Sequence, residues 1–64
     1  MKRKQLIAYL NSNDCELLRE GSRHSLYRNG NNGFIAAIPR HPDLNDITCM
    51  KICKELGIPY PGKN

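Results

Sequence analysis

The sequence lacks what larger, exported or membrane-bound proteins contain. Its 64 residues leave room for one domain, with none for a cofactor domain beside a substrate domain. The apolar run Leu6–Leu10 is too short for the core of a signal peptide. No run approaches the ~18 apolar residues of a membrane helix. We therefore expect one domain over residues 1–64, in the cytoplasm and without a membrane contact.

The sequence lacks the even number of cysteines that a disulfide framework needs. The three cysteines, Cys15, Cys49 and Cys53, include no Cys-x-x-Cys pair, so a disulfide framework is not expected. Cys49 and Cys53 share a helix face and could bind zinc with Cys15 or a histidine. They also interleave with Ile52 and Leu56, as buried residues do, and this interpretation is favoured. We expect no metal and no cofactor.

Positive charge is what the sequence does contain. Ten Lys and Arg against six acids give a net charge of +4 and a pI near 9.2. Such a domain is typical of a polyanion binder, or of a protein with an acidic partner, although modest charge also serves solubility. Lys2, Arg3 and Lys4 could contact an RNA backbone non-specifically, or lie solvated at the start of a helix.

Apolar spacing predicts two helices, one at each end of the chain. Residues 3–12 carry Leu6, Ile7 and Leu10 on one edge. The second helix is expected to begin after Asn45, a good N-cap, and to end at Gly57. The tail at residues 60–64 is expected to be frayed.

Three segments between the helices read as strands, with turn residues between them: residues 15–20, 24–28 and 34–38. The order α-β-β-β-α predicts an α+β fold, in which a three-stranded antiparallel sheet carries both helices on one face. Strand alternation puts His24 and Leu26 on the same face. Leu26 should be buried, whereas a histidine that carries out chemistry must be accessible. We therefore expect His24 at the first position of its strand, at the sheet rim.

His24 is the strongest candidate for chemistry, because arginines at 19, 23 and 28 surround it. Arginine binds phosphate with two parallel hydrogen bonds, and an imidazole exchanges a proton near neutral pH. RNA supplies its own nucleophile, the 2′-hydroxyl. A ribonuclease therefore needs only a base, an acid and positive charge. The alternative, a surface histidine among solvated arginines, is favoured if these residues alone are considered.

Two further residues have two interpretations each. His41 could be a second acid or base, or a rigid loop residue between two prolines. Arg40, which precedes it, is a candidate phosphate ligand, as are Arg19, Arg23 and Arg28. Tyr27 could stack on a base, or form a cross-strand pair in the sheet.

Three blocks of the sequence resemble the HicA toxin family: Leu18–Asn29, Ile38–His41 and Lys51–Pro59. The likeness covers residues 3–59. It implies a fold similar to the double-stranded-RNA-binding domain, with the α-β-β-β-α order. It also implies a toxin that cleaves mRNA without the ribosome, and that a HicB antitoxin silences, so that a hetero-oligomer of the two is expected.

The resemblance also implies roles for single residues. His24, three residues before Tyr27, matches the family's catalytic histidine, and His41 matches the histidine of a Pro-x-His motif. Arg23 stands between Ser22 and His24, where many members have Gly-Ser-His in direct succession. Asp14 replaces a common glycine, and aspartate tolerates a left-handed turn. A non-catalytic RNA-binding module is the alternative function.

Overall fold

The computed structural model describes residues 1–61, which form two helices and one antiparallel sheet. The elements, in chain order, are α1 (Arg3–Ser12), β1 (Cys15–Glu20), β2 (His24–Asn29), β3 (Ile35–Pro39) and α2 (Asp46–Leu56). The predicted α+β fold of α-β-β-β-α order is confirmed. No helix among the described residues is long and apolar enough to cross a membrane.

The three strands form a meander with β2 in the centre. Leu17 pairs with Tyr27, but Arg19 pairs with Leu26, so that Leu18 is the extra residue of a β-bulge. In a regular strand, Arg19 and Leu17 would lie on the same face of the sheet. Because of the bulge, they lie on opposite faces. It also brings Glu20 opposite Ser25, at the rim of the sheet.

Both helices pack on one face of the sheet, as predicted. The fully buried side chains Leu6 and Leu10 of α1, Ile38 of β3 and Leu56 of α2 belong to one apolar cluster. Tyr27 and Ala36, which are cross-strand partners, complete its sheet side. The other face of the sheet, which we call the open face, carries side chains that no described element covers.

Local chemistry fixes the element ends. The Asn45 side chain accepts a hydrogen bond from the Thr48 N–H at 2.8 Å, which confirms it as the N-cap of α2. Gly57 closes that helix with φ of 72°, a left-handed conformation that favours glycine. Asp14 has φ of 64° after α1, so this aspartate takes the turn that a glycine would otherwise make.

The cysteines belong to the core, as the favoured interpretation predicts. Cys15, Cys49 and Cys53 are 0 to 1% exposed. Burial raises the pKa of all three thiols, and that of Cys53 to about 11. No group of three or more histidine, cysteine, aspartate or glutamate side chains within residues 1–61 could hold a metal ion.

The end of the described chain contacts the rest of the fold through Tyr60. The Tyr60 hydroxyl donates a hydrogen bond to Oδ1 of Asp46 at 3.1 Å, and the ring packs against the core. Fraying of residues 60–64 stays a prediction. Residues 62–64 lie outside the described residues.

Candidate active site

A pocket of about 340 Å³ opens where β2 begins and β3 ends. Its lining is Ser22, Arg23, His24, Pro39, Arg40 and His41. The strand register explains the meeting, because His24 pairs with Pro39, two residues before His41. The fold thus brings together two histidines and two arginines that lie up to 18 positions apart in the sequence.

His24 lies at the first position of β2, as expected, and its side chain is exposed. The Gly21 N–H donates to the carbonyl of His24 at 2.8 Å. A Cβ atom at Gly21 would lie 2.9 Å from that carbonyl oxygen, so the tight approach requires glycine. Leu26, on the same face, is only half-buried. The expectation that Leu26 is buried is wrong, because both helices cover the opposite face.

Arg3 of α1 makes hydrogen bonds to β2 and β3 next to the pocket. Its Nε donates to the carbonyl of Pro39 at 2.7 Å, and its Nη2 donates to Oγ of Ser25 at 2.8 Å. The Ser25 hydroxyl, 1% exposed, donates in turn to Oε1 of Glu20 at 2.7 Å. These protein acceptors engage two donors of the Arg3 guanidinium, which argues against the predicted RNA contact of Arg3.

Arg40 and Arg23 differ in how their charges are balanced. Arg40 donates from Nε and Nη2 to the carbonyl of Gly21, at 3.1 and 2.6 Å, and forms an ion pair with Glu20. Arg23 is exposed and has no ion-pair partner among residues 1–61. The uncompensated arginine charge at the pocket is therefore that of Arg23.

The other basic candidates lie outside the pocket. Arg28 and Arg19 are exposed along the open face, where Arg28 pairs with Glu16 across the strands. Lys2 forms an ion pair with Asp43 at 3.4 Å, while Lys4 is exposed on α1. The structure therefore places Arg28 and Arg19 on the face of His24, but not beside it.

Tyr27 is part of the core and is 8% exposed. This burial argues against the prediction that it stacks on a base, and its pairing with Ala36 and Leu17 agrees with the cross-strand interpretation. The physical reason is that successive side chains of β2 point to alternate faces of the sheet. Because His24 points to the open face, Tyr27 points to the helices.

Sequence reasoning missed Glu20 and Ser25, which contact each other and the two arginines beneath the pocket. A signal for Ser25 does exist. It alternates with Tyr27 and Asn29, so a buried Tyr27 implies a buried serine and a buried asparagine in need of partners. Asn29 donates to the carbonyl of Leu56 at 2.8 Å and thereby joins β2 to the end of α2.

Comparison with known proteins agrees with this architecture. The family model described as "HicA toxin of bacterial toxin-antitoxin" matches residues 3–58. No curated protein and no solved structure matches the chain. The matched span includes all five elements and every residue that lines the pocket. The chain therefore belongs to the HicA family of toxins from bacterial toxin–antitoxin systems.

Proposed function

We propose that this HicA-family toxin is an endoribonuclease that cleaves mRNA in the cytoplasm without a metal ion or cofactor. One observation carries the proposal. Two exposed histidines, His24 and His41, share a pocket with Arg23, whose charge has no ion-pair partner among residues 1–61. The pocket therefore offers two proton-exchanging groups and a cation on one small surface.

The reaction that these groups suit is transfer of the phosphate within the RNA itself. A base takes the proton of the 2′-hydroxyl, and the resulting oxygen attacks the adjacent phosphorus. The bond from phosphorus to the 5′-oxygen breaks, and an acid protonates that oxygen. The products are a 2′,3′-cyclic phosphate and a free 5′-hydroxyl. His24 serves as the base or the acid, and His41 assists as the other of the two. Arg23 stabilises the charge on the phosphate.

The open face supplies a path for the rest of the RNA. Arg28 and Arg19 lie on the same face as His24 and would contact backbone phosphates in a salt-dependent way. Lys4, exposed on α1, adds a weaker contact. Arg40 contributes less than its position suggests, because Glu20 balances its charge.

Family membership implies an antitoxin partner. We propose that this is a HicB-type protein that covers the pocket, partly with acidic residues that face Arg23. Such residues would speed association and exclude the phosphate from its site. The two proteins would then form a hetero-oligomer.

The test is incubation of purified protein with end-labelled RNA in excess chelator. We expect cleavage, with 2′,3′-cyclic phosphate ends identified by mass spectrometry, and a rate that falls about 10²-fold or more in His41→Ala if it provides the acid or base. Cleavage that requires added metal would contradict the mechanism. RNA that is bound but stays intact would favour the alternative, a non-catalytic RNA-binding module.

A further inference from the structure

Four side chains beneath the pocket form one continuous chain of contacts. They are Arg3 of α1, Ser25 of β2, Glu20 of β1 and Arg40, which follows β3. The residues come from four parts of the sequence, and Arg40 lines the pocket together with the two histidines. We call this set the clamp.

The centre of the clamp is the carboxylate of Glu20. Its Oε1 accepts from the Ser25 hydroxyl at 2.7 Å and also from Nη2 of Arg40. The Ser25 hydroxyl itself accepts from Nη2 of Arg3 at 2.8 Å. A single carboxylate oxygen therefore links the two arginines, one directly and one through a buried serine.

The two ends of the clamp hold the backbone on either side of the pocket. Arg40 donates to the carbonyl of Gly21, the residue whose N–H holds the carbonyl of His24. Arg3 contacts the other side twice. Its side chain donates to the carbonyl of Pro39, and its backbone N–H donates to that of Pro42 at 2.9 Å.

The segment that carries His41 depends on these contacts. The pairing of β3 with β2 ends at Pro39 opposite His24, so the ladder does not extend to His41. Arg3 brackets His41 by holding carbonyls two residues before it and one residue after it. Because a displacement of about 1 Å can lower a rate about 10²-fold, this restraint matters for a reaction that uses both rings.

We propose that Arg3, Ser25, Glu20 and Arg40 are positioning residues, which fix His41 relative to His24. The inference rests on the proposed ribonuclease function. It assigns a role in that reaction to Glu20 and Ser25. It also assigns Arg3 and Arg40 to support of the site, because their donors are directed at protein carbonyls and at the clamp.

The decisive pair of variants is Glu20→Ala and Glu20→Gln. Glu20 is half exposed at the sheet rim, so the fold tolerates both changes. Glutamine keeps a side-chain oxygen that can accept from Ser25 and Arg40, whereas alanine removes it. In Glu20→Ala we expect kcat to fall about 10-fold to 100-fold with KM within about 2-fold, and in Glu20→Gln we expect kcat within about 3-fold of wild type.

A second pair tests the serine. Ser25→Ala removes the link between Arg3 and Glu20, and it should lower kcat as Glu20→Ala does. Ser12→Ala is its matched control, because that hydroxyl donates to the carbonyl of Tyr9 and accepts from Nδ2 of Asn13, both at the end of α1. The control should cleave at the wild-type rate. All variants are assayed below their unfolding temperatures, which circular dichroism establishes.

Three outcomes overturn the proposal. If Glu20→Gln loses as much activity as Glu20→Ala, the carboxylate acts chemically and not as a positioning group. If Glu20→Ala or Ser25→Ala cleaves at the wild-type rate, the clamp has no role in the reaction. If Ser25→Ala raises KM and leaves kcat unchanged, the clamp serves RNA binding.

The proposed function fails separately, if wild-type protein does not cleave RNA. In that case, the effect of the clamp on the two histidines is measured by NMR, from the ring-proton signals of His24 and His41. Ser25→Ala should shift or broaden both sets of signals, and Ser12→Ala should leave them in place. Unchanged signals in Ser25→Ala would overturn the clamp without reference to activity.

Discussion

The two faces of β2 differ in burial and in charge. On one face, Ser25, Tyr27 and Asn29 are buried under the helices, and the side chains of Ser25 and Asn29 have hydrogen-bond partners. On the other, His24 and Arg28 are exposed, and Leu26 is half-buried. Six consecutive residues thus alternate between groups that hold the fold together and groups free to meet a ligand.

The difference shows how a chain of 64 residues carries both a fold and a site. A domain this small buries little surface, so every inward position of the central strand contributes to stability. The outward positions contribute little, and their charges stay uncompensated without penalty. Substitutions on the two faces should therefore separate into losses of stability and losses of RNA-directed function.

The largest expected effect on stability comes from Tyr27→Ala on the buried face. Removal of this ring from the core should lower the free energy of unfolding by about 3 kcal/mol or more, a large part of the total for a domain of this size. Urea unfolding followed by circular dichroism measures it. A Tyr27→Ala protein as stable as wild type, but weaker in RNA binding, would restore the base-stacking role that burial argues against.

A somewhat smaller effect should follow from alkaline pH. Burial raises the pKa of Cys53 from the ordinary 9.0 to about 11, with Cys49 and Cys15 adding to the rise. The unfolded chain therefore loses this proton first. The stability from the neutral thiol is complete below pH about 9 and is lost as the pH rises towards about 11, on the order of 2 kcal/mol.

Urea titrations at several values between pH 8 and 11 check this dependence. Cys53→Ala should lose stability less steeply over that interval, although it is less stable at pH 8 because it leaves a cavity. If wild type and Cys53→Ala decline with equal slopes, another group must control the alkaline transition.

The smallest effect on stability is expected for Arg28→Gln on the open face. The free energy of unfolding should change by less than about 0.5 kcal/mol. RNA binding should instead become less dependent on salt, because one phosphate contact is gone. The slope of the logarithm of the binding constant against the logarithm of the salt concentration should fall in magnitude by about 1. Lys51→Gln, which removes the same charge from the exposed side of α2, is the control and should leave the slope unchanged.

The element order could be predicted from the sequence because its signals are local. Asn45, Asp14 and Gly57 act within a few residues of their own positions, and all three behave as their chemistry requires. The family resemblance located His24 and His41 in the sequence, and the register explains why they meet.

The buried face of β2 could not be identified, because alternation gives two parities and does not say which one meets the helices. The apolar side chain of Leu26 indicated the wrong face. What decides the matter is remote in sequence: Ser25 finds Arg3 across 22 positions, and Asn29 finds Leu56 across 27. Without those partners, two polar residues are implausible core positions.

The central claim is that His24 carries the chemistry of this toxin, and its direct test is the cleavage rate of His24→Ala in chelator. We predict a kcat about 10²-fold to 10⁴-fold below wild type, with an unchanged free energy of unfolding, because the exposed imidazole transfers a proton but holds nothing in place. A His24→Ala protein that cleaves RNA at the wild-type rate would contradict the account.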